Sequence, residues 1–140
     1  MIDRDVVFSK TGKIKRSLYK IKSTTGLNPD TLGDEYTIDI FLLNAQRAIQ
    51  ASAGLASHII ACEGMGVPQS LKHIFSFLEE ALIIDAELSK EMQALIGFRN
   101  VILYGYTDVD TEICKEMLTK RLQALEDFYT AVIRHYGLDQ

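Results

Sequence analysis

The sequence has few of the residues that interrupt regular secondary structure. Only two prolines and nine glycines occur among its 140 residues, and these two residue types are the strongest markers of turns. Their scarcity argues for long regular elements and against a loop-rich β-sandwich. The alternation of apolar and polar residues that is typical of half-exposed strands is also absent. The sequence therefore predicts an all-α protein.

Cysteine is equally scarce, and no pattern of metal ligands is present. Cys62 and Cys114 have neither CxxC nor metal-ligand spacing, so we interpret them as reduced core thiols. His58, His73 and His135 form no ligand cluster with carboxylates. A GxGxxG or Walker loop is also missing. We therefore expect neither a metal ion nor a cofactor.

Long apolar runs are missing as well. No segment approaches the ~20 apolar residues of a transmembrane helix, and the chain does not open with a basic segment followed by an apolar one, as a signal peptide would. We expect a soluble, cytoplasmic protein without membrane contact. Its length and its 47% of apolar residues predict a single domain over 1–140 with one packed core.

Charge is distributed unevenly along the chain. The net charge is −4, but residues 1–26 contain seven basic and two acidic residues, a local balance of +5 that leaves −9 for the remainder. A basic helix on an acidic body would guide RNA phosphates or meet an acidic partner surface. A solvated helix face remains the alternative, because charge alone does not decide between these roles.

Apolar residues that recur at three- and four-residue spacing predict five helices. Asp34 and Asp110 are the expected N-caps of the second and fifth helices, and apolar stripes place Leu82 and Ile113 in the core. The architecture expected is an up-and-down helical bundle with short connections. Its mostly apolar second helix belongs inside the bundle or at a subunit interface. The five helices are expected at about 3–24, 34–63, 69–81, 86–103 and 110–136.

A cationic residue interrupts the apolar stripe of the fourth helix. The stripe runs to Leu95, and Arg99 is its next position. Because an unpaired buried charge is costly, Arg99 must meet an anion or extend to water. A guanidinium can hold two phosphate oxygens, and Asn100 offers donors and an acceptor to ribose, phosphate or the arginine itself. The alternative is a structural ion pair with Glu79, Glu80 or an acid on the fifth helix.

The segment around Arg99 resembles the signature of HEPN-domain toxins of the HepT type. That signature is an arginine, four residues, a histidine, one residue and a tyrosine. Here Tyr104 stands at the place of the histidine, and Tyr106 matches the tyrosine. Residues 44–51 and 66–70 resemble the family's second helix and the connector after it. The resemblance extends over roughly 10–136.

The resemblance implies a function. Family members are homodimers in which two such motifs meet and cut single-stranded RNA without a metal. Arg99 would then stabilise the scissile phosphate, and the family histidine would transfer protons. A phenol with a pKa of about 10 is a poor base compared with an imidazole near ~6.5. We therefore expect that Tyr104 leaves cleavage weak or absent.

The resemblance also implies a partner, a minimal nucleotidyltransferase that acts as the antitoxin and adds AMP to the tyrosine matched by Tyr106. The alternative for Tyr106 is an amphipathic side chain packed at the rim. Arg47, on the stripe of the second helix, has either an RNA-binding role or a structural hydrogen bond. Two other functions remain open: a non-catalytic subunit that presents substrate or nucleotide to a nucleotidyltransferase, and a plain dimerising bundle.

Overall fold

The chain folds into a bundle of α-helices. The computed structural model describes residues 2–105 and 110–138, with the backbone alone at 104–105. A 3₁₀ turn, Pro29–Gly33, joins the first two helices, and a π-helical segment, Met117–Arg121, joins the last two. No strand occurs within the described ranges. The α-helices are α1 Arg4–Thr25, α2 Glu35–Glu63, α3 Leu71–Glu80, α4 Ala86–Gly105, α5 Thr111–Glu116 and α6 Gln123–His135.

The predicted all-α bundle is confirmed, because α5, the π-helical segment and α6 together form the fifth predicted helix. Both predicted N-caps are also confirmed. The Asp34 carboxylate accepts the backbone N–H of Thr37 at 2.9 Å, and Asp110 accepts that of Glu112 at 2.8 Å. These carboxylates satisfy N–H groups that lack a partner within the helix. The hydrogen bonds from Thr37 lower the pKa of Asp34.

Two predicted core positions are wrong. Leu82 is 86% exposed because α3 ends at Glu80 and residue 82 adopts a left-handed conformation with φ of 61°. The apolar stripe therefore does not continue to this position. Ile113 is 39% exposed, and its neighbour Cys114 is fully buried in its place.

The π-helical segment explains an irregular step in the apolar pattern of the last helix. Met117 and Leu122 are five residues apart and both are buried. The Leu122 N–H donates to the Met117 carbonyl at 3.1 Å, which is the hydrogen bond of a π-turn. The extra residue keeps both side chains facing the core.

The core fixes α4 against α2 beside Arg99. Helix α2 packs against α1, α3, α4 and α6, and the rings of Phe41 on α2 and Phe98 on α4 lie 6.2 Å apart. A second ring pair, Phe75 and Phe128, joins α3 and α6 at 5.5 Å. Truncation of such a buried ring costs about 3–5 kcal/mol, so the backbone that presents Arg99 is firmly held. In the described part of the chain, no helix combines the length and apolarity needed to cross a membrane.

Candidate functional site

Helix α4 places Arg99 at the edge of the core. Met92, Leu95 and Ile102 on the same stripe are at most 2% exposed, whereas Arg99 is partly buried. Its Nη2 donates to the Gln50 Oε1 at 2.6 Å, and its Nη1 donates to the Asn100 Oδ1 at 3.2 Å. Its Nε is buried without a hydrogen-bond partner among the described residues. The guanidinium is thus held in place by two amide side chains.

No carboxylate neutralises this guanidinium within the described ranges. The ion pairs found there join Lys115 to Glu112 and Arg121 to Glu91 and Glu116. The alternative of an ion pair between Arg99 and Glu79, Glu80 or an acid of the last helix is therefore wrong for this part of the chain. Because amide oxygens carry no net charge, the positive charge of Arg99 is not cancelled by its hydrogen-bond partners.

Asn100 and Gln50 hold the arginine in different ways. Asn100 follows Arg99 directly and is partly buried, and its acceptor oxygen serves the arginine itself, which is one of the three roles considered for it. Gln50 reaches Arg99 across 49 residues of sequence. No local pattern in the sequence predicts this contact. The one signal for it was the position of Gln50 on the α2 face that also carries Arg47.

Gln50 also lines a groove between α1 and α2. The first turns of α1 lie beside the second half of α2, since the Asp3 N–H donates to the His58 Nε2 at 3.1 Å, so the two helices are antiparallel. The groove has a volume of about 590 Å³. Five of its lining residues are cationic and none is acidic. They are Lys10, Lys13, Arg16, Ser17 and Lys20 from α1, and Leu43, Gln46, Arg47, Gln50, Ala51 and Gly54 from α2.

Arg47 is exposed and lines this groove one helical turn from Gln50. Among the described residues it makes neither a hydrogen bond nor an ion pair that would give it a structural role. The side chain of Gln50 lines this groove and also accepts a hydrogen bond from the Arg99 guanidinium, so it connects the groove to Arg99. Arg47 therefore lines the groove that Gln50 borders, and Gln50 in turn contacts Arg99.

The two tyrosines of the motif are described less fully. Tyr104 lies in the last turn of α4, and its side chain is outside the described atoms. Tyr106 lies outside the described residues, so its predicted role as AMP acceptor stays a prediction. Asp110, the next residue that the structure describes, is the N-cap of α5.

Cysteine, histidine and carboxylate side chains outside this site were the other candidates for chemistry in the described ranges. No cluster of three or more His, Cys, Asp or Glu side chains could hold a metal ion there. Burial and the nearby Asp110 raise the pKa of Cys114 to about 11, so this thiol stays protonated and unreactive near neutrality. The ring of His58 contacts the Cys62 Sγ at 3.5 Å, and this pair lies near the start of α1.

Several solved structures are similar to this chain, and toxins are among them. The chain is similar to a toxin in a toxin–antitoxin complex with AMP-PNP, with 25% identity, a TM-score of 0.88 and coverage of 94% of this chain and 99% of that chain. It is also similar to a tri-AMPylated HEPN toxin of Shewanella oneidensis in complex with an MNT antitoxin, with 26% identity, a TM-score of 0.87 and the same coverage. YutE of Bacillus subtilis, a cytosolic protein of unknown function, shares the fold at 20% identity and a TM-score of 0.83, covering 96% of this chain and 90% of its own.

These likenesses define a helical protein of the HEPN toxin class. A family model described as ribonuclease HepT-like matches residues 14–132, so the chain belongs to the HepT-like ribonuclease family. The mRNA nuclease HepT of Shewanella oneidensis is 27% identical over 128 residues, which cover 91% of this chain and 96% of that protein. The family resemblance noted from the sequence is thereby confirmed.

Proposed function

We propose that this chain is the toxin of a HEPN–MNT toxin–antitoxin module and that its site is built for metal-independent cleavage of RNA. The relative named an mRNA nuclease and the toxins solved with antitoxins support this class of function. Arg99, Asn100 and Tyr104 form the proposed catalytic group. RNA is the proposed substrate, and a minimal nucleotidyltransferase is the proposed partner.

The observation that carries the proposal is the uncompensated charge of Arg99. Its guanidinium is oriented by Gln50 and Asn100, and no acid competes for it among the described residues. A phosphate that approaches it gains a charge-assisted hydrogen bond, which is about twice as strong as a neutral one. As charge builds on the phosphate oxygens during cleavage, the fixed guanidinium stabilises the transition state more than the ground state.

The proton transfers belong to position 104. Cleavage next to a ribose requires that a base remove the proton of the 2′-hydroxyl and that an acid protonate the leaving oxygen. A phenol is ordinarily a poor proton acceptor near pH 7, whereas an imidazole titrates near that pH. We therefore infer that the chain binds RNA but cleaves it slowly or not at all.

Restoration of the family histidine tests this assignment. We expect Tyr104→His to raise the single-turnover cleavage rate of a labelled single-stranded RNA at least ~100-fold, the lower end of what general acid–base catalysis provides. Tyr104→Phe is the matched control and should not raise the rate. If Tyr104→His cleaves no faster than the unsubstituted chain, position 104 is not the proton-transfer position.

Tyr106 is the proposed AMP acceptor. Each added AMP would bring a phosphate close to Arg99, where it would occupy the guanidinium and repel an incoming RNA phosphate. Incubation with ATP and the partner nucleotidyltransferase should add AMP masses to the chain in intact-mass spectra. Tyr106→Phe should abolish the addition and Tyr104→Phe should not. The reverse result would move the acceptor to position 104.

Exposed apolar side chains support a homodimer. Ile40 on α2 is 40% exposed, and Val101 and Leu103 on α4 are 45% and 41% exposed. An exposed apolar patch often marks an interface, and these residues lie on the two helices that hold Arg99 and Gln50. In light scattering, we expect a dimer for the unsubstituted chain and a shift towards monomer for Ile40→Glu, a substitution outside the lining of the groove. A monomeric unsubstituted chain would remove the proposed dimer cleft.

A second candidate function is a non-catalytic subunit that presents RNA or nucleotide to the nucleotidyltransferase. Tyr104 in place of the family histidine favours it. Expression in a bacterial host distinguishes the two functions. A toxic Tyr104→His chain beside a harmless unsubstituted chain supports the ribonuclease, whereas two harmless chains support the binding subunit.

A further inference from the structure

The groove between α1 and α2 lies beside the buried contact of these two antiparallel helices. Side chains from both helices line it. On α1, Lys13, Arg16 and Lys20 lie three and four residues apart and share one face. They span seven residues, about 10 Å of helix. On α2, Arg47 projects into the same groove. The cations therefore form a row that faces a single opening.

The charge of this row is not cancelled within the described residues. None of the lining residues is acidic, and none of the cations of the groove takes part in an ion pair there. The rest of the chain after residue 26 has a net charge of −9, so acids were available for pairing. A concentration of one sign of charge in a concave surface focuses the potential and attracts a polyanion.

The floor of the groove is shaped for close approach. A Cβ atom at Gly54 would lie 3.2 Å from the Lys10 Nζ, so the Lys10 side chain packs closely over the backbone of α2 at this glycine. Gln46 and Gln50 line the groove as well, and their amides can donate to phosphate or ribose oxygens. Gln50 in turn holds Arg99 at 2.6 Å. A ligand in the groove therefore lies one side chain away from the proposed catalytic guanidinium.

We propose that this groove binds the sugar-phosphate backbone of single-stranded RNA and leads the strand to Arg99. The inference rests on the proposed function for the identity of its ligand, and it adds a binding surface outside the motif. A row of cations with helical spacing suits a linear polyanion, and the link through Gln50 connects the row to the catalytic group. An acidic protein surface would gain nothing from that link, so RNA is the occupant that the geometry favours.

The test uses the chain of 140 residues and a short fluorescein-labelled oligouridylate, with binding followed by anisotropy. The groove variant combines Lys13→Gln, Arg16→Gln and Lys20→Gln. We expect its affinity for the RNA to fall at least ~10-fold. The slope of log affinity against log salt should fall by about 2, since each phosphate contact with a single strand contributes ~0.7 to it.

The matched control removes the same charge from exposed positions outside the groove. It combines Lys90→Gln, Lys120→Gln and Arg134→Gln, all at exposed residues that do not line the groove. We expect its affinity to stay within about threefold of the unsubstituted chain, because distant exposed charges are screened. Equal losses in the two triple variants would overturn the proposal, since the effect would then come from net charge alone.

Two further measurements keep the result interpretable. Lys13→Arg with Lys20→Arg should retain RNA binding, because the charge is kept, and a loss there would contradict the proposal. Retained RNA binding by the groove variant, with lost binding to the partner nucleotidyltransferase, would assign the groove to a protein and overturn the RNA assignment.

The cleavage test at position 104 is independent. If Tyr104→His fails to cleave while the groove variant loses RNA, the groove stands and the ribonuclease proposal fails.

Discussion

Two arginines of this molecule have similar burial and different neighbours. Arg121, at the end of the π-helical segment, contacts the Glu91 carboxylate at 3.0 Å and the Glu116 carboxylate at 3.6 Å. Arg99 is also partly buried, but its partners are the neutral amides of Gln50 and Asn100. The charge of Arg121 is neutralised inside the protein, while that of Arg99 remains available to a ligand.

The difference separates a structural arginine from the one that we propose to bind RNA. Arg121 joins α4 to the last helix, and its ion pairs contribute modestly to stability. Arg99 contributes little of this kind, since its Nε is buried without a partner in the described residues and an unmade hydrogen bond there costs free energy. A chain that keeps such a residue on an apolar stripe gives up some stability, and departures of this kind are expected at functional sites.

The largest expected effect separates the two arginines by activity. In the Tyr104→His chain, Arg99→Gln should lower kcat/KM for RNA cleavage about 10²–10³-fold, as the loss of a transition-state donor does. Arg121→Gln, which removes an equal charge, should stay within a few-fold. The measurement is cleavage of labelled RNA at a temperature where circular dichroism shows both variants folded. Similar losses of activity in the two variants would contradict a special role for Arg99 in cleavage.

A smaller effect is expected when Arg99 is given a partner like that of Arg121. Gln50→Glu is nearly isosteric and replaces the amide at 2.6 Å with a carboxylate. We expect RNA affinity to fall about tenfold, because the guanidinium would then be neutralised internally. The chain should be at least as stable as before in thermal unfolding. Unchanged RNA affinity would show that the charge of Arg99 is not used for binding.

The smallest expected effect is on stability, when a carboxylate partner of Arg121 is replaced by an amide like those that contact Arg99. Glu91→Gln replaces the nearer carboxylate of Arg121 with an amide, and Glu116 remains as a partner. The free energy of unfolding should fall by about 0.5–1 kcal/mol, the range of a partly exposed ion pair. Denaturant titration measures this change, and RNA binding should not alter. A larger fall, or a loss of RNA binding, would contradict the structural role of Arg121.

The sequence predicts the helices well because local chemistry determines where they begin. Asp34 and Asp110 mark two helix starts by their capping carboxylates, which act within three residues. The predictions from the sequence are wrong where the regular helical spacing of apolar residues is interrupted or ends. The five-residue step from Met117 to Leu122 is a π-turn, which the regular period of an α-helix does not predict. Leu82 was assigned to a stripe after the helix had ended.

The site could be predicted only in part. Arg99 is conspicuous in the sequence because a cation on an apolar stripe has few explanations, and its hydrogen bond to Asn100 is one of the three alternatives that the sequence left open for that amide. Its contact with Gln50 depends on how α2 crosses α4, which no local pattern encodes. The row of cations facing Arg47 depends in the same way on the antiparallel packing of α1 and α2. Tertiary packing determines both features.

The most direct test of the account is the affinity of the chain, with Tyr104 in place, for single-stranded RNA across a range of salt concentrations, compared with Arg99→Gln. The account predicts weaker binding by Arg99→Gln and a salt dependence reduced by about 0.7, the contribution of one phosphate contact. Identical affinities and identical salt dependence would show that Arg99 does not bind a phosphate, which would contradict the central claim.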